Sequence, residues 1–314
     1  MLNDLERHCL GLPRLGRPRL GLPTGSVPAN DSVLDSPDFG WPGFLLSFAL
    51  DAARQVRPLR FESLEGVVQF KADGSPVTSV EQDIERRLRL KVAAFAPDAQ
   101  VVGEETGGRL PTVGEAVAVD PIDGTWALIN RTENFSVTLA LFRDGEPEFG
   151  VVLNPATGEA AYAARGGKTR VLQVPAFGEP AMGSDLPLQR VADDGLLVHL
   201  HPGPASRDLA AILMQAWRDR EILLLRSVGG SPCLGLCDAA KGSFVYVNRW
   251  SDAPASPYDL AAGELILKGA GGVALDLDGN TVSLVRHAGP FVAAVDAAAC
   301  ARVVEILGAQ PPVG

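Results

Sequence analysis

The chain reads as an α/β protein built on two sheets, and two features of its rhythm predict this. Between about residues 43 and 174, two amphipathic helical stretches accompany short apolar runs joined by turn signals, the pattern of an antiparallel sheet carrying helices. From about residue 186, apolar runs of strand length alternate with helical stretches, which predicts a second sheet with helices packed on it. The expected division is 1–40 as a disordered extension or a start placed too early, 41–185 as an N-terminal α+β part and 186–314 as a C-terminal α/β part. At 314 residues, with 46% hydrophobic and 21% charged, the chain has enough apolar side chain for a large core.

Residues 1–40 are rich in Pro, Gly and Arg and keep no periodicity. The first helix is expected at Gly43–Val56, where Phe44, Leu45, Phe48, Ala49 and Ala52 share one face. Lys71-Ala-Asp-Gly-Ser-Pro-Val-Thr78 reads as a turn, with Ser79 as N-cap of a helix over Val80–Phe95 striped by Ile84, Leu88 and Val92. Val101–Gly103 and Ala116–Val119 read as short strands, the second stopped by Pro121. Ser136–Phe142 and Phe149–Leu153 flank Arg143-Asp-Gly-Glu146, a hairpin signal, and further strands fall near 160–164 and 168–174. In the second half the expected order is strand 196–201, helix 209–217, strand 222–228, helix 233–240 and strand 244–247. A Pro-rich loop follows, then a helix opened by Asp259, strands at 273–277 and 291–295, and a last helix at 297–307.

The formal net charge of −10 argues against a nucleic-acid-binding surface, and it means that handling anionic phosphates calls for bound cations. No run of eighteen apolar residues predicts a membrane span, and the N-terminus, with prolines at 13, 18, 23 and 28, lacks a signal-peptide core. Cys9, Cys233, Cys237 and Cys300 form no disulfide framework in a chain of this length and are expected as thiols in a reducing cytoplasm.

The chemistry concentrates in Asp120-Pro-Ile-Asp-Gly-Thr125. Two carboxylates three residues apart at a strand end repel each other, and each pKa rises unless a cation sits between them. Gly124 and Thr125 add backbone N–H groups and a hydroxyl, the groups that hold phosphate. Glu104, Glu105 and Asp259 also fall beside Gly or at a helix start, and an all-oxygen donor set of this kind suits Mg²⁺.

Gly103-Glu-Glu105, Asp120-Pro-Ile-Asp-Gly-Thr125, Asp259-Leu-Ala-Ala-Gly263 with Ala270-Gly-Gly272, and Lys71-Ala-Asp-Gly-Ser-Pro-Val-Thr78 together resemble the inositol monophosphatase family, over about residues 43–308. The resemblance implies a layered α/β/α/β/α sandwich of the sugar-phosphatase type and Mg²⁺-dependent hydrolysis of a small phosphomonoester. By motif position Glu104, Asp120 and the Ile122 carbonyl would hold one metal, and Asp120, Asp123 and Asp259 a second. Thr125, supported by Glu81, would orient and deprotonate the attacking water, and Glu105 would reach the metal shell through water. Backbone N–H groups of Gly124 and Thr125 would hold the phosphate, with Asp123, Gly230 and Ser231 lining the substrate. Ser231 and Pro232 read equally as an ordinary helix start. The family is often dimeric, so a homodimer is an expectation by analogy.

Three departures stand out. Glu81 occupies the position where the family usually has Asp, with Asp83 nearby; Tyr258 stands where Trp usually precedes the last metal Asp; and the loop Asn248–Pro257 is long and Pro-rich. The acid that grips inositol in the family has no clear match, which leaves fructose bisphosphate, histidinol phosphate and 3′-phosphoadenosine 5′-phosphate beside inositol phosphate. For the last, Arg249 and Trp250 are candidate contacts. A non-catalytic metal-binding relative is the competing class, favoured only by Glu81. A dinucleotide-dependent oxidoreductase fails, because Gly269-Ala-Gly-Gly272 follows a helix instead of a strand. Asp276-Leu-Asp-Gly-Asn280 reads as a turn, and His199 and His201 as structural.

Overall fold

The computed structural model describes residues 40–174, 183–188, 195–249 and 253–308. The expected N-terminal extension, Cys9 and Trp250 lie outside the described residues. Among the described residues no helix is long and apolar enough to cross a membrane.

Seven strands form the first sheet in sequential order: β3 (Gln100–Gly103), β4 (Glu115–Asp123), β5 (Ser136–Arg143), β6 (Glu146–Leu153), β7 (Glu159–Ala164), β8 (Arg170–Gln173) and β9 (Gly183–Asp185). Period-two alternation sorts their side chains. In β4, Val117 and Val119 face α1 (Gly40–Val56) and α2 (Ser79–Phe95), while Ala116 and Ala118 face the opposite layer. The β5–β6 hairpin turns through Asp144 (φ 51°) and Gly145 (φ 76°), the left-handed pair that a two-residue turn matched to strand twist requires.

The opposite layer is α5 (Pro232–Ala240) with α6 (Pro257–Gly269). It sits close because small residues meet small residues: a Cβ on Gly150 of β6 would lie 2.8 Å from the Ala262 Cα. On its far side lies the second sheet, ordered β11 (Leu224–Ser227), β10 (Leu197–Leu200), β12 (Val245–Arg249), β14 (Pro290–Ala294) and β13 (Val273–Leu275). Tyr246 and Phe291 pack inward against Leu236 and Leu260, while Val198, Val247 and Val292 pack outward against α4 (Arg207–Arg218) and α7 (Ala297–Gly308). The result is the five-layered α/β/α/β/α sandwich.

Several local expectations change. β4 does not stop at Pro121 but runs on to Asp123. Its ladder to β5 jumps from Asp120↔Thr138 to Asp123↔Ser136, and Pro121 sits in that irregularity, where its missing N–H breaks no ladder bond. β3 and β4 pair in parallel, within an otherwise antiparallel sheet. The segment read as a turn before α2 is a small hairpin, β1 (Val68–Phe70) with β2 (Pro76–Thr78), whose three-residue strands are too short to show a period. Thr78, not Ser79, caps α2: its side chain accepts from the Glu81 N–H while the Glu81 carboxylate accepts from the Thr78 N–H. Asp259 is the third residue of α6, not its opener, and its carboxylate reaches back to accept from the Ser256 N–H. Thr125 begins a short helix, α3 (Thr125–Ile129), after Gly124 at φ 94°.

Candidate active site

The strand end Asp120–Asp123 is placed by burial and by close backbone approach. Ile122 is fully buried, so the bulged turn sends Asp120 and Asp123, each 3% exposed, toward one recess. Gly124 abuts the loop before α5: a Cβ there would lie 2.7 Å from the Ser231 N, and one on Gly230 would lie 2.0 Å from the Asn134 O. Glycine is therefore required on both sides of this junction, which locks the Asp-Gly-Thr turn against Gly230 and Ser231.

Each acid has a defined setting. The Asp120 Oδ1 accepts from the Ile122 N–H at 2.9 Å, and the Asp259 Oδ2 from the Ser256 N–H at 2.9 Å. The Asp123 Oδ2 accepts from the Ser231 hydroxyl and, at 3.3 Å, from the Cys233 N–H in the first turn of α5. The Ser136 and Ser231 hydroxyls meet at 2.8 Å, and Ser231 also caps α5 by accepting from the Leu234 N–H at 3.0 Å. The Ser231 hydroxyl thus lies within hydrogen-bond reach of both Asp123 and Ser136.

Glu81 and Thr125 are joined. The Thr125 hydroxyl lies 2.9 Å from the Glu81 Oε1 and 3.1 Å from the Ile122 O, with both acceptors in reach of its single proton. The other Glu81 oxygen closes the α2 cap. The extra methylene of Glu over Asp lets one carboxylate serve the helix start and the threonine together.

The sequence assigns no site role to Glu85, Ser136 or Lys71, although Lys71 opens one of the motifs. Glu85 is fully buried one helical turn after Glu81, and accepts from the Glu105 N–H at 2.8 Å and the Thr106 N–H at 3.0 Å. A charged residue within the Ile84–Leu88 stripe was the available signal. Gly103 makes room for it, since a Cβ there would fall 2.2 Å from the Glu85 Oε2. The Lys71 ammonium donates to Glu104 and to Glu105, each at 2.7 Å.

The electrostatics follow from crowding. Burial, then the charges of Glu104, Asp123, Glu81 and Asp259, push the Asp120 carboxyl well above the usual range. Burial, then Asp123 and Glu104, likewise raise Asp259. Burial lifts Asp123 to about 7 against its hydrogen bonds from Ser231 and Cys233, and lifts Glu81 to about 7 against those from Thr78 and Thr125. Burial works to lower the Lys71 ammonium, but hydrogen bonds to Glu104 and Glu105 outweigh it and raise the group.

Among the described residues no three acids draw together into a closed metal cage. The donor set nonetheless fits a hard cation: Asp120, Asp123 and Asp259 each keep one carboxylate oxygen with no hydrogen bond within the described residues, and all three are destabilised as bare anions. Glu104 and Glu105 share Lys71 beside them. The remaining expectations concern surroundings. Cys233, Cys237 and Cys300 are buried free thiols. His199 is 1% exposed, its Nδ1 accepting from Arg226 at 2.7 Å and its Nε2 donating to the Val228 O at 3.2 Å, a structural role. Arg249 is engaged with Asp208 at 3.1 Å.

A five-layered sandwich with buried acids beside a Gly-Thr turn that opens a short helix fits a phosphoric monoester hydrolase. The chain belongs to the inositol monophosphatase family, whose model matches residues 44–308. A histidinol-phosphatase of Mycobacterium tuberculosis is 31% identical over 241 residues, covering 75% of this chain and 87% of that protein. The solved Thermotoga maritima IMPase superposes with a TM-score of 0.64 at 23% identity, over 84% of this chain and 97% of that one. A structure described as an IMPase/NADP phosphatase complexed with Mg²⁺ and phosphate gives a TM-score of 0.64 at 22% identity, over 85% and 94%.

Proposed function

We propose that this chain is a Mg²⁺-dependent phosphatase of a small phosphorylated metabolite. The observation that carries this is the cluster around Asp120, where buried carboxylates have too little positive charge of their own. In this assignment Glu104, Asp120 and the Ile122 carbonyl hold one ion, and Asp120, Asp123 and Asp259 another. The ions would supply an acidified water and charge stabilisation at phosphorus. Thr125 orients the attacking water and passes a proton toward Glu81, to which it is hydrogen-bonded. The N–H groups of Gly124 and Thr125, at the start of α3, receive phosphate oxygens. Glu105 acts through water, and Gly230 and Ser231 form the substrate side of the recess. A cytoplasmic setting is supported by the buried free thiols, and a homodimer by family habit alone.

The substrate is a phosphomonoester of metabolite size, and histidinol phosphate leads because of the 31% identical relative. Inositol phosphate, fructose bisphosphate and 3′-phosphoadenosine 5′-phosphate are the alternatives. The test is phosphate release from these four compounds with Mg²⁺ present. One compound turned over at least tenfold better in kcat/KM fixes the substrate. No release from any of them, by folded protein that binds Mg²⁺, moves the chain to the non-catalytic class.

A further inference from the structure

Asp123 is gripped through one oxygen. Its Oδ2 accepts from the Ser231 hydroxyl and the Cys233 N–H, while its Oδ1 has no hydrogen bond within the described residues. Behind Ser231 stands Ser136 of β5, the ladder partner of Asp123 beyond the bulge, so the two side chains share one face of the sheet. Ser136 and Ser231 are both buried, and their hydroxyls must find partners inside the protein. The backbone holds them in register: the Ser231 N–H donates to the Asn134 O at 2.9 Å, and the Asn134 Nδ2 donates to the Gly229 O at 2.6 Å.

We propose that Ser136 is a positioning residue for Asp123: acting through Ser231, it fixes which Asp123 oxygen the protein holds and which is left for a cation. This rests on the proposed metal assignment, in which Asp123 holds one of the ions. The order of the relay follows from counting protons and lone pairs. The Ser231 Oγ accepts from the Leu234 N–H at 3.0 Å, which leaves it one lone pair and one proton. A carboxylate is the stronger acceptor, so that proton goes to Asp123. The Ser136 Oγ lies 2.8 Å from the Ser231 Oγ but 3.5 Å from the Asp123 Oδ2, at the edge of hydrogen-bonding range. Its proton therefore fills the remaining Ser231 lone pair. Without the Ser136 hydroxyl, the Ser231 proton is free to turn, and the carboxylate can offer either oxygen. The share of one neutral hydrogen bond in this ordering sets the expected loss of Mg²⁺ affinity at roughly fivefold.

Mg²⁺ binding to the wild type, Ser136→Ala, Ser231→Ala and the double variant is measured by titration calorimetry with inorganic phosphate present, beside the urea midpoint of each metal-free protein. Ser136→Cys, which keeps the volume with a weaker donor, is measured with them and stands in if Ser136→Ala does not fold. The relay predicts roughly fivefold weaker binding in Ser136→Ala and weaker binding also in Ser136→Cys. It predicts a larger loss in Ser231→Ala and no further loss in the double variant, because Ser136 acts through Ser231 alone. A residue that only fills space would lower the urea midpoint and leave Mg²⁺ affinity unchanged. Wild-type affinity in the Ser136 variants, or losses that add fully in the double variant, overturns the relay while leaving the metal assignment standing. No Mg²⁺ binding by the folded wild type overturns the assignment itself, and the positioning role with it.

Discussion

Glu81→Asp separates two jobs that one carboxylate performs. The substitution withdraws the carboxylate by about 1.5 Å, the length of one carbon–carbon bond. The helix cap survives this, because α6 already shows an Asp in the same third position: Asp259 accepts from the Ser256 N–H at 2.9 Å. The bond to the Thr125 hydroxyl, 2.9 Å in the wild type, is then out of reach. A hydrogen bond to a charged acceptor contributes about 1.5–3 kcal/mol. If it orients the attacking water, its loss lowers kcat by about 10–100-fold. Fold stability should change by less than about 1 kcal/mol, the scale of an N-cap that is retained. The assays are kcat for phosphate release and the urea midpoint of the same preparations. An unchanged kcat refutes the Thr125 coupling. A stability loss that parallels the rate loss refutes the division of labour.

Two further predictions rest on packing and protonation. Gly103→Ala drives a Cβ into the Glu85 carboxylate and disturbs its hold on Glu105 and Thr106; urea unfolding should show a loss of about 1–3 kcal/mol, and Mg²⁺ affinity should fall with it. Burial and the Arg226 charge hold His199 at about 4, against a partial offset from Asp238 and the Val228 carbonyl, so it is neutral in the fold but protonates near 6.5 once unfolded. Stability is therefore complete above pH 6.5 and is lost as pH falls toward 4, by about 3 kcal/mol from this residue; urea midpoints across that window should fall less steeply in His199→Gln than in the wild type, and parallel profiles would exclude the effect.

Long periodic elements were legible in the sequence because one principle governed them. The α2 stripe of Ile84, Leu88 and Val92 is buried as the helical spacing required, and Asp144-Gly145 makes the two-residue turn its chemistry dictates. Element ends were misplaced wherever a specific side-chain or ladder contact overrode propensity. Pro121 is a strand-breaker by propensity, yet β4 passes through it because a bulge absorbs the missing N–H. Thr78 caps α2 in place of Ser79 because one oxygen of the Glu81 carboxylate reaches back to the Thr78 N–H. At the site, the acids were readable from type and spacing. Lys71 and Glu85 were not, since their roles come from partners 20 to 34 residues away that only the folded chain brings near. The Gly124–Gly230 junction is equally a product of folding, since the atoms that exclude a Cβ at these two glycines, 106 positions apart, belong chiefly to Ser231 and Asn134.

The most direct measurement compares phosphate release by the wild type and Asp120→Asn, each with Mg²⁺ and with chelator. Asp120 lies at the middle of the cluster, and the amide keeps its shape while removing the charge shared by both proposed ion positions. Release by the wild type that requires Mg²⁺, together with a loss of about a thousandfold or more in folded Asp120→Asn, is the predicted result. Release that persists in chelator, or an Asp120→Asn variant of near-normal rate, would contradict it.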